Sequence, residues 1–237
     1  MRERPQIALS MVVKNEVDRY LKRALKNHLK FVDYVVIIDD ASTDDTVTLC
    51  EDLLRDVPHT IVKNETSLFS NETHLRQKQW EETIRISPEW ILNLDADEIF
   101  ESRFQSQVKS IISSSDYDVV YFRLYDMWSE THYRDDQYWH AHHYYRPFLV
   151  RYQKAIKYTW NSSPLHCGRF PETILQLPYT CHLARVKHYG WVREEDRKRK
   201  YKRYKKLDPE GIYGWKEQYE SILESFPNVI QWSESSH

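Results

Sequence analysis

Three groups of oxygen-bearing side chains hold the chemistry of this 237-residue sequence. Asp95-Ala96-Asp97 sets two carboxylates one residue apart, with Glu98 directly after them. Where a chain turns at the end of a strand, two such carboxylates can face one cavity. Hard divalent ions such as Mg2+ or Mn2+ take oxygen ligands of this kind together with substrate phosphates. Asp39-Asp40-Ala41-Ser42-Thr43-Asp44 is the second group, and Lys14-Asn15-Glu16 the third. Ionised carboxylates accept hydrogen bonds only, which suits a base N–H or a ribose hydroxyl. Each group alone has a plainer reading: a solvated turn, a helix cap, the acidic pocket of a receiver domain, or a phosphatase aspartate pair. Their common position is what makes them a site.

That position is set by the elements around them. Residues 7–13, 34–38, 59–62 and 90–94 are short apolar runs that read as buried strands. Residues 16–29, 45–54, 72–86 and 101–112 read as helices, with Ser42-x-x-Asp45 as a capping start. The alternation predicts an α/β fold with a mainly parallel central sheet flanked by helices. All three polar groups then follow strands, at the carboxyl edge where open α/β sheets bind ligands. Later strands are expected at 118–124, 147–152 and 183–189. Residues 192–226 read as a C-terminal helical extension, two helices broken near Pro209-Glu210-Gly211.

Composition narrows the ligand chemistry. The chain has four glycines, all at or after Gly168, against roughly sixteen expected from average usage. A P-loop, a dinucleotide fingerprint or the glycine loop of a sugar nucleotidyltransferase cannot be built from such a front half. The net charge of −2 gives no pull toward nucleic acid. Three widely spaced cysteines suggest reduced thiols and a cytoplasmic setting. No signal-like or membrane-spanning run is visible, and the sequons at Asn64, Asn71 and Asn161 read as chance.

The order of the three groups resembles family 2 glycosyltransferases of the GT-A fold. In that family the first strand ends in an Asn-Glu-like turn. The second ends in Asp-Asp-Gly-Ser-x-Asp-x-Thr, and an Asp-x-Asp follows a later strand. Asn15-Glu16, Asp39 to Thr46 and WILNLDADE match these in turn, with Ala41 in place of the usual glycine. The resemblance implies a single GT-A-like domain over 1–237. Its nucleotide-binding half would be 1–100, its acceptor-binding half 101–190, and its C-terminal helices 191–237. It implies that Asp40 contacts the nucleobase with Asp39 in support, that Asn15 and Glu16 line the base or ribose, and that Arg76 reaches the base or diphosphate. Asp95 would lie near ribose and metal, Asp97 would be the principal ligand of Mn2+ or Mg2+, and Lys78 is a weaker phosphate candidate. The activity implied is an inverting, metal-dependent hexosyl transfer from a nucleoside-diphosphate-sugar donor to a glycan or lipid-linked acceptor, as in polysaccharide biosynthesis. A non-catalytic carbohydrate-binding protein on the same fold is the alternative.

The acceptor side is less legible. A general base is expected before the last strands, where Leu165-His166-Cys167 carries no His-Glu pair. Glu172 is the first candidate, with Asp136 and Asp126 behind it. His188, at a strand end, would complete a metal or diphosphate site by the same resemblance. Arg134, Asp135 and Trp139 are the acceptor-binding candidates, within an aromatic stretch suited to sugar rings. His140-Ala141-His142-His143 is a poor zinc motif, because no cysteine or carboxylate stands at a recognised spacing. Residues 193–206 hold nine basic and three acidic side chains, a surface for an anionic membrane at its inner, cytoplasmic face.

Overall fold

The computed structural model describes residues 5–161 and 167–234. The chain runs β1 (Ile7–Val13), α1 (Leu21–His28), β2 (Tyr34–Asp39), α2 (Thr46–Leu54), β3 (His59–Lys63), α3 (Glu72–Ile84) and β4 (Trp90–Asn93). There follow β5 (Glu98–Phe100), α4 (Arg103–Ser113), β6 (Val119–Asp126), β7 (His132–Arg134), β8 (Tyr145–Arg151) and β9 (Tyr179–His188). The chain finishes with α5 (Glu194–Leu207), α6 (Lys216–Ser221) and β10 (Val229–Gln231).

Eight strands form one sheet in the order β3-β2-β1-β4-β8-β6-β9-β5. The β3-β2-β1-β4 part is parallel throughout, while β4–β8 and β5–β9 pair antiparallel. The architecture is therefore the expected α/β sheet with flanking helices and C-terminal helices. All seven residues of β1 are buried, as a parallel strand covered on both faces requires.

The chain divides into two compact units. The first comprises Met1–Asp97, Gln105–Tyr121 and Pro147–His182; the second comprises Glu98–Phe104, Phe122–Arg146 and Leu183–His237. In the first, Trp80, Ile91, Val119, Val150, Phe170 and Ile174 form an apolar cluster that Tyr152, Tyr158 and Trp160 pad. In the second, Trp128, Trp139, Trp191, Tyr219 and Ile222 pack together, and Tyr201 and Tyr204 of α5 lean on them.

Local departures from the expected elements have local causes. Helix α1 starts at Leu21, not at residue 16, because Lys14 to Glu16 is bonded elsewhere: Asn15 N–H donates to Ser42 Oγ (3.0 Å) and Glu16 N–H to Thr46 Oγ1 (2.7 Å). Ser42 therefore does not cap α2; Asp44 Oδ1 takes the Thr46 N–H at 3.0 Å. Strand β10 is exposed at all three residues, so no apolar alternation announced it. It pairs antiparallel with β7.

Late glycine use has a steric reason at Gly214. A Cβ there would stand 1.7 Å from the Tyr219 hydroxyl oxygen. Tyr219 is buried, and its hydroxyl donates to Asp208 Oδ2 at 3.0 Å. Gly214→Ala is expected to cost about 2–3 kcal/mol by overpacking and loss of that bond, read as a lowered midpoint in urea unfolding.

The end of the chain is fastened by charge. Glu234 accepts from Lys187 Nζ (2.7 Å), Trp232 Nε1 (3.0 Å) and the Ser102 N–H (3.2 Å). Burial works to raise its pKa, but these donors prevail and hold it at about 2, below its ordinary 4.5. A depressed carboxylate stabilises the fold above its unfolded pKa and loses that contribution as pH falls through the folded one. Glu234→Gln should therefore lower stability at pH 7, and the gap from wild type should narrow between pH 4.5 and about 2. Urea midpoints across that range check it.

Candidate active site

The parallel strands put the acidic groups on one edge. With β3 and β2 on one side of β1 and β4 on the other, the strand order reverses between β1 and β4, the switch point where such sheets bind ligands. Val13 lies opposite Asp39 in the β1–β2 register, and Ser10 opposite Asn93 in β1–β4. Asp40 N–H continues the ladder onto Val13 O at 2.9 Å.

The two aspartates at the end of β2 behave differently. Asp40 is fully buried, and its carboxylate is taken up inside the protein. Oδ1 accepts from Asn64 Nδ2 and Leu68 N–H, both at 2.8 Å, and Oδ2 from Ser67 Oγ at 2.5 Å. Lys14 Nζ lies 3.6 Å from Oδ2. Burial alone would raise this carboxyl's pKa; the three donors and the Lys14 charge outweigh it and hold it below the usual range. Lys78 is used in the same network, donating to Asn64 Oδ1 at 2.7 Å. Asp40 thus fastens the 64–68 loop. Asp39 is also buried, but only Oδ2 is engaged, by Ser42 N–H at 3.2 Å. Asp39 Oδ1 is buried with no hydrogen-bond donor among the described residues. A buried acceptor in that state costs free energy unless a ligand supplies the donor.

The loop that carries this pair is bent as the family's glycine would bend it. Ala41 has φ +59° and so bears the left-handed conformation, at a cost of about 1 kcal/mol. Asn15 faces the same loop at φ +53°, a conformation asparagine tolerates. Its Oδ1 accepts the Thr43 N–H at 2.8 Å. Glu16 is buried and paired with Arg19.

Asp95, Ala96 and Asp97 form the turn between β4 and β5. Arg76 Nη2 donates to Asp95 Oδ1 at 2.9 Å, and Arg169 Nη1 lies 3.6 Å from Oδ2. Burial would raise the Asp95 pKa, and the nearby Asp97 charge adds to that; the two guanidiniums prevail and keep it low. Arg76 is steadied by Gln79 Oε1 (3.0 Å). Arg169 lies over the Phe148 ring, and its carbonyl accepts from Asn93 Nδ2 at 3.0 Å. Arg169 was missed in the sequence: 74 positions separate it from Asp95, and no local pattern marks it. Asp97 is 8% exposed. Two adjacent carboxylates that repel one another, both hard oxygen donors, fit Mn2+ or Mg2+.

The acceptor-side candidates scatter. Glu172 is exposed at the start of a short 3-10 helix. Of the loop before it, Leu165 and His166 lie outside the described residues. Asp136 is occupied: Oδ2 accepts from Arg134 Nε (2.6 Å), and Oδ1 from the Tyr138 and Trp139 N–H groups (2.9 and 3.1 Å). Arg134 is fully buried between Trp128 and Trp139, 4.7 and 5.3 Å from their ring centres. Trp139 is buried and donates to Ser221 Oγ at 2.8 Å. Arg134 and Trp139 therefore build the second unit's core instead of an open sugar-binding face, and the half-buried Asp136 is spent on them. Asp135 keeps an accessible carboxylate, near His142 and His143.

His188 is tied to a carboxylate. Its Nδ1 is 2.7 Å from Asp126 Oδ1, which also accepts from Trp191 Nε1 at 3.0 Å, and Lys200 Nζ is 3.4 Å from Nε2. Burial would raise the Asp126 carboxyl, but His188 and the neighbouring cations hold it below its usual pKa. An ionised carboxylate on Nδ1 is the arrangement that readies Nε2 to act as a ligand.

The geometry gathers buried and ion-paired carboxylates and two arginines at one sheet edge. The glycosyl transferase family 2 profile matches residues 9–170, and the chain belongs to that family. An uncharacterised glycosyltransferase of Rickettsia felis is 34% identical over 113 residues, covering 48% of this chain and 36% of the relative. One from Rickettsia bellii is 33% identical over the same length. The chain thus spans about a third of the length of these curated relatives. Among solved structures, S. aureus TarS residues 1–349 in complex with UDP aligns with a TM-score of 0.57 at 16% identity, over 92% of this chain and 69% of that one. The same fragment in complex with UDP-GlcNAc aligns equally well at 14% identity. These likenesses show the GT-A fold.

Proposed function

We propose that this glycosyltransferase moves a sugar from a nucleoside-diphosphate donor, held at the carboxyl edge of β1, β2 and β4, to a glycan or lipid-linked acceptor. The observation that carries the reading is the paired state of the edge: one buried, unsatisfied Asp39 oxygen and one carboxylate pair flanked by two arginines. Asp39 Oδ1 accepts a base N–H, taking the role the resemblance gave to Asp40. Asn15 and Glu16 shape the neighbouring loop. Arg76 and Arg169 hold diphosphate oxygens, and Asp95 orients both guanidiniums. Asp97, with Asp95, would hold Mn2+ or Mg2+. Such an ion supplies Lewis-acid stabilisation of the leaving diphosphate. The two guanidiniums add fixed positive charge where the leaving group's negative charge develops.

Glu172 is the proposed base, since its exposed carboxylate is open to an acceptor hydroxyl. Asp136 has no comparable freedom. In-line attack with inversion is the stereochemistry proposed for this base. His188 is proposed as a ligand for a metal or diphosphate oxygen through Nε2. The basic residues of 193–206 are proposed to meet an anionic membrane at its cytoplasmic face, a peripheral contact. None of the described helices is long and apolar enough to cross a membrane.

The fold in TarS carries UDP and UDP-GlcNAc, so UDP-sugars head the donor panel. Incubating the protein with UDP-, GDP- and dTDP-sugars and Mn2+ should release nucleoside diphosphate from one of them. Release of pyrophosphate from a nucleoside triphosphate instead would replace transfer with nucleotidyl chemistry.

A further inference from the structure

The histidines at 140–143 lack a carboxylate partner in sequence, but the fold supplies one. Asp135 directly follows β7. Its N–H donates to Asn228 O at 3.1 Å, and Asn228 Nδ2 donates back to Asp135 O at 2.5 Å, fixing the residue beside the chain that enters β10. A 3-10 turn, Ala141–His143, is closed by His143 N–H on His140 O (3.0 Å) and Tyr144 N–H on Ala141 O (3.2 Å). That turn aims two successive imidazoles at one oxygen. His142 Nε2 lies 3.4 Å and His143 Nε2 3.6 Å from Asp135 Oδ1. All three ligand atoms fall within 4.8 Å of one another.

Those separations are long for hydrogen bonds, which prefer about 2.7–3.2 Å. The two nitrogen-to-oxygen separations, 3.4 and 3.6 Å, are close to the edge of a tetrahedron with metal–ligand bonds of ~2.0–2.1 Å, which is roughly 3.4 Å. The rings are also braced. His142 is buried, stacked on Tyr125 (4.9 Å, 26°) and met edge-on by Tyr133 (4.9 Å, 71°). His143 is 57% exposed and gives an ion its way in.

We propose that Asp135, His142 and His143 bind a divalent transition ion, zinc first, at a site of their own in the second unit. Two imidazoles and one carboxylate suit Zn2+, Co2+ or Ni2+, whereas the all-oxygen pair Asp95 and Asp97 suits Mn2+ or Mg2+. The fourth position falls to water or to His140, whose ring centre is 5.9 Å from that of His143. A bound ion would tie the 140–144 segment to the β7–β10 ribbon.

The test is calorimetric titration of the chelator-treated full chain with Zn2+, alongside the visible absorption of its Co2+ form. One equivalent should bind, raise Tm and give the intense bands of four-coordinate Co2+. His143→Ala, at an exposed ring, and Asp135→Asn should each weaken zinc binding by at least ~10–100-fold with the circular dichroism spectrum unchanged. Asp97→Asn should leave zinc binding as in wild type. Equal zinc affinity in wild type and both site variants, no binding at large zinc excess, or loss of zinc binding in Asp97→Asn alone would each overturn the proposal.

Discussion

Replacing Asp97 by asparagine should lower donor turnover by roughly 10³-fold, about 4 kcal/mol of transition-state stabilisation, while leaving the fold intact. The substitution keeps the shape of a side chain that is 8% exposed and removes only its charge. Asp97 acts on its surroundings through that charge, opposing ionisation of Asp95 against the pull of Arg76 and Arg169. Removing it leaves two guanidiniums and one carboxylate, an arrangement short of the anionic pair that a divalent ion needs. Turnover of the donor found active and thermal unfolding are the two measurements. Wild-type turnover in purified Asp97→Asn would remove the carboxylate pair from the mechanism.

The second large effect separates Asp39 from its neighbour. Asp39→Ala should weaken nucleoside-diphosphate binding by about 10–100-fold, because a hydrogen bond to a charged acceptor contributes ~1.5–3 kcal/mol. Its Tm should change little, since among the described residues the only protein donor lost is the Ser42 N–H at 3.2 Å. Asp40→Ala should do the opposite in kind. It strands Asn64 Nδ2 and the Leu68 N–H, and should destabilise the fold by about 3 kcal/mol or more. Calorimetry on both variants and urea unfolding read the contrast. Full nucleotide affinity in Asp39→Ala would return the base-binding role to another residue.

These two aspartates show how far the sequence could be read. The edge was legible, because the runs before Asn15, Asp39 and Asp95 are apolar strands whose carboxyl ends must align once β1 pairs with β2 and β4. The alanine at the family's glycine position left open whether the backbone there is left-handed, and the structure answers with φ +59°. Which of Asp39 and Asp40 is taken up by protein donors was not legible. That depends on Asn64, Ser67 and Leu68, supplied by a loop 24 to 28 positions on. Arg169 was hidden for the same reason. On the acceptor side, the chemical types were right for sugar binding, but type alone does not reveal burial. Arg134 is charged and Trp139 is amphipathic, yet tertiary packing places both in a core. Asp135 became a partner for His142 and His143 only through the turn that brings them together.

The glycine shortage fits the proposed site, in which side chains on loops would do what backbone amides do in phosphate-wrapping folds. The account stands most directly on one measurement, a thermal-shift series with UDP, GDP and dTDP, each with and without Mn2+. It predicts that one nucleotide raises Tm, that Mn2+ enlarges the shift, and that Asp97→Asn removes the metal-dependent part. Identical melting in every nucleotide, with and without Mn2+, would contradict it.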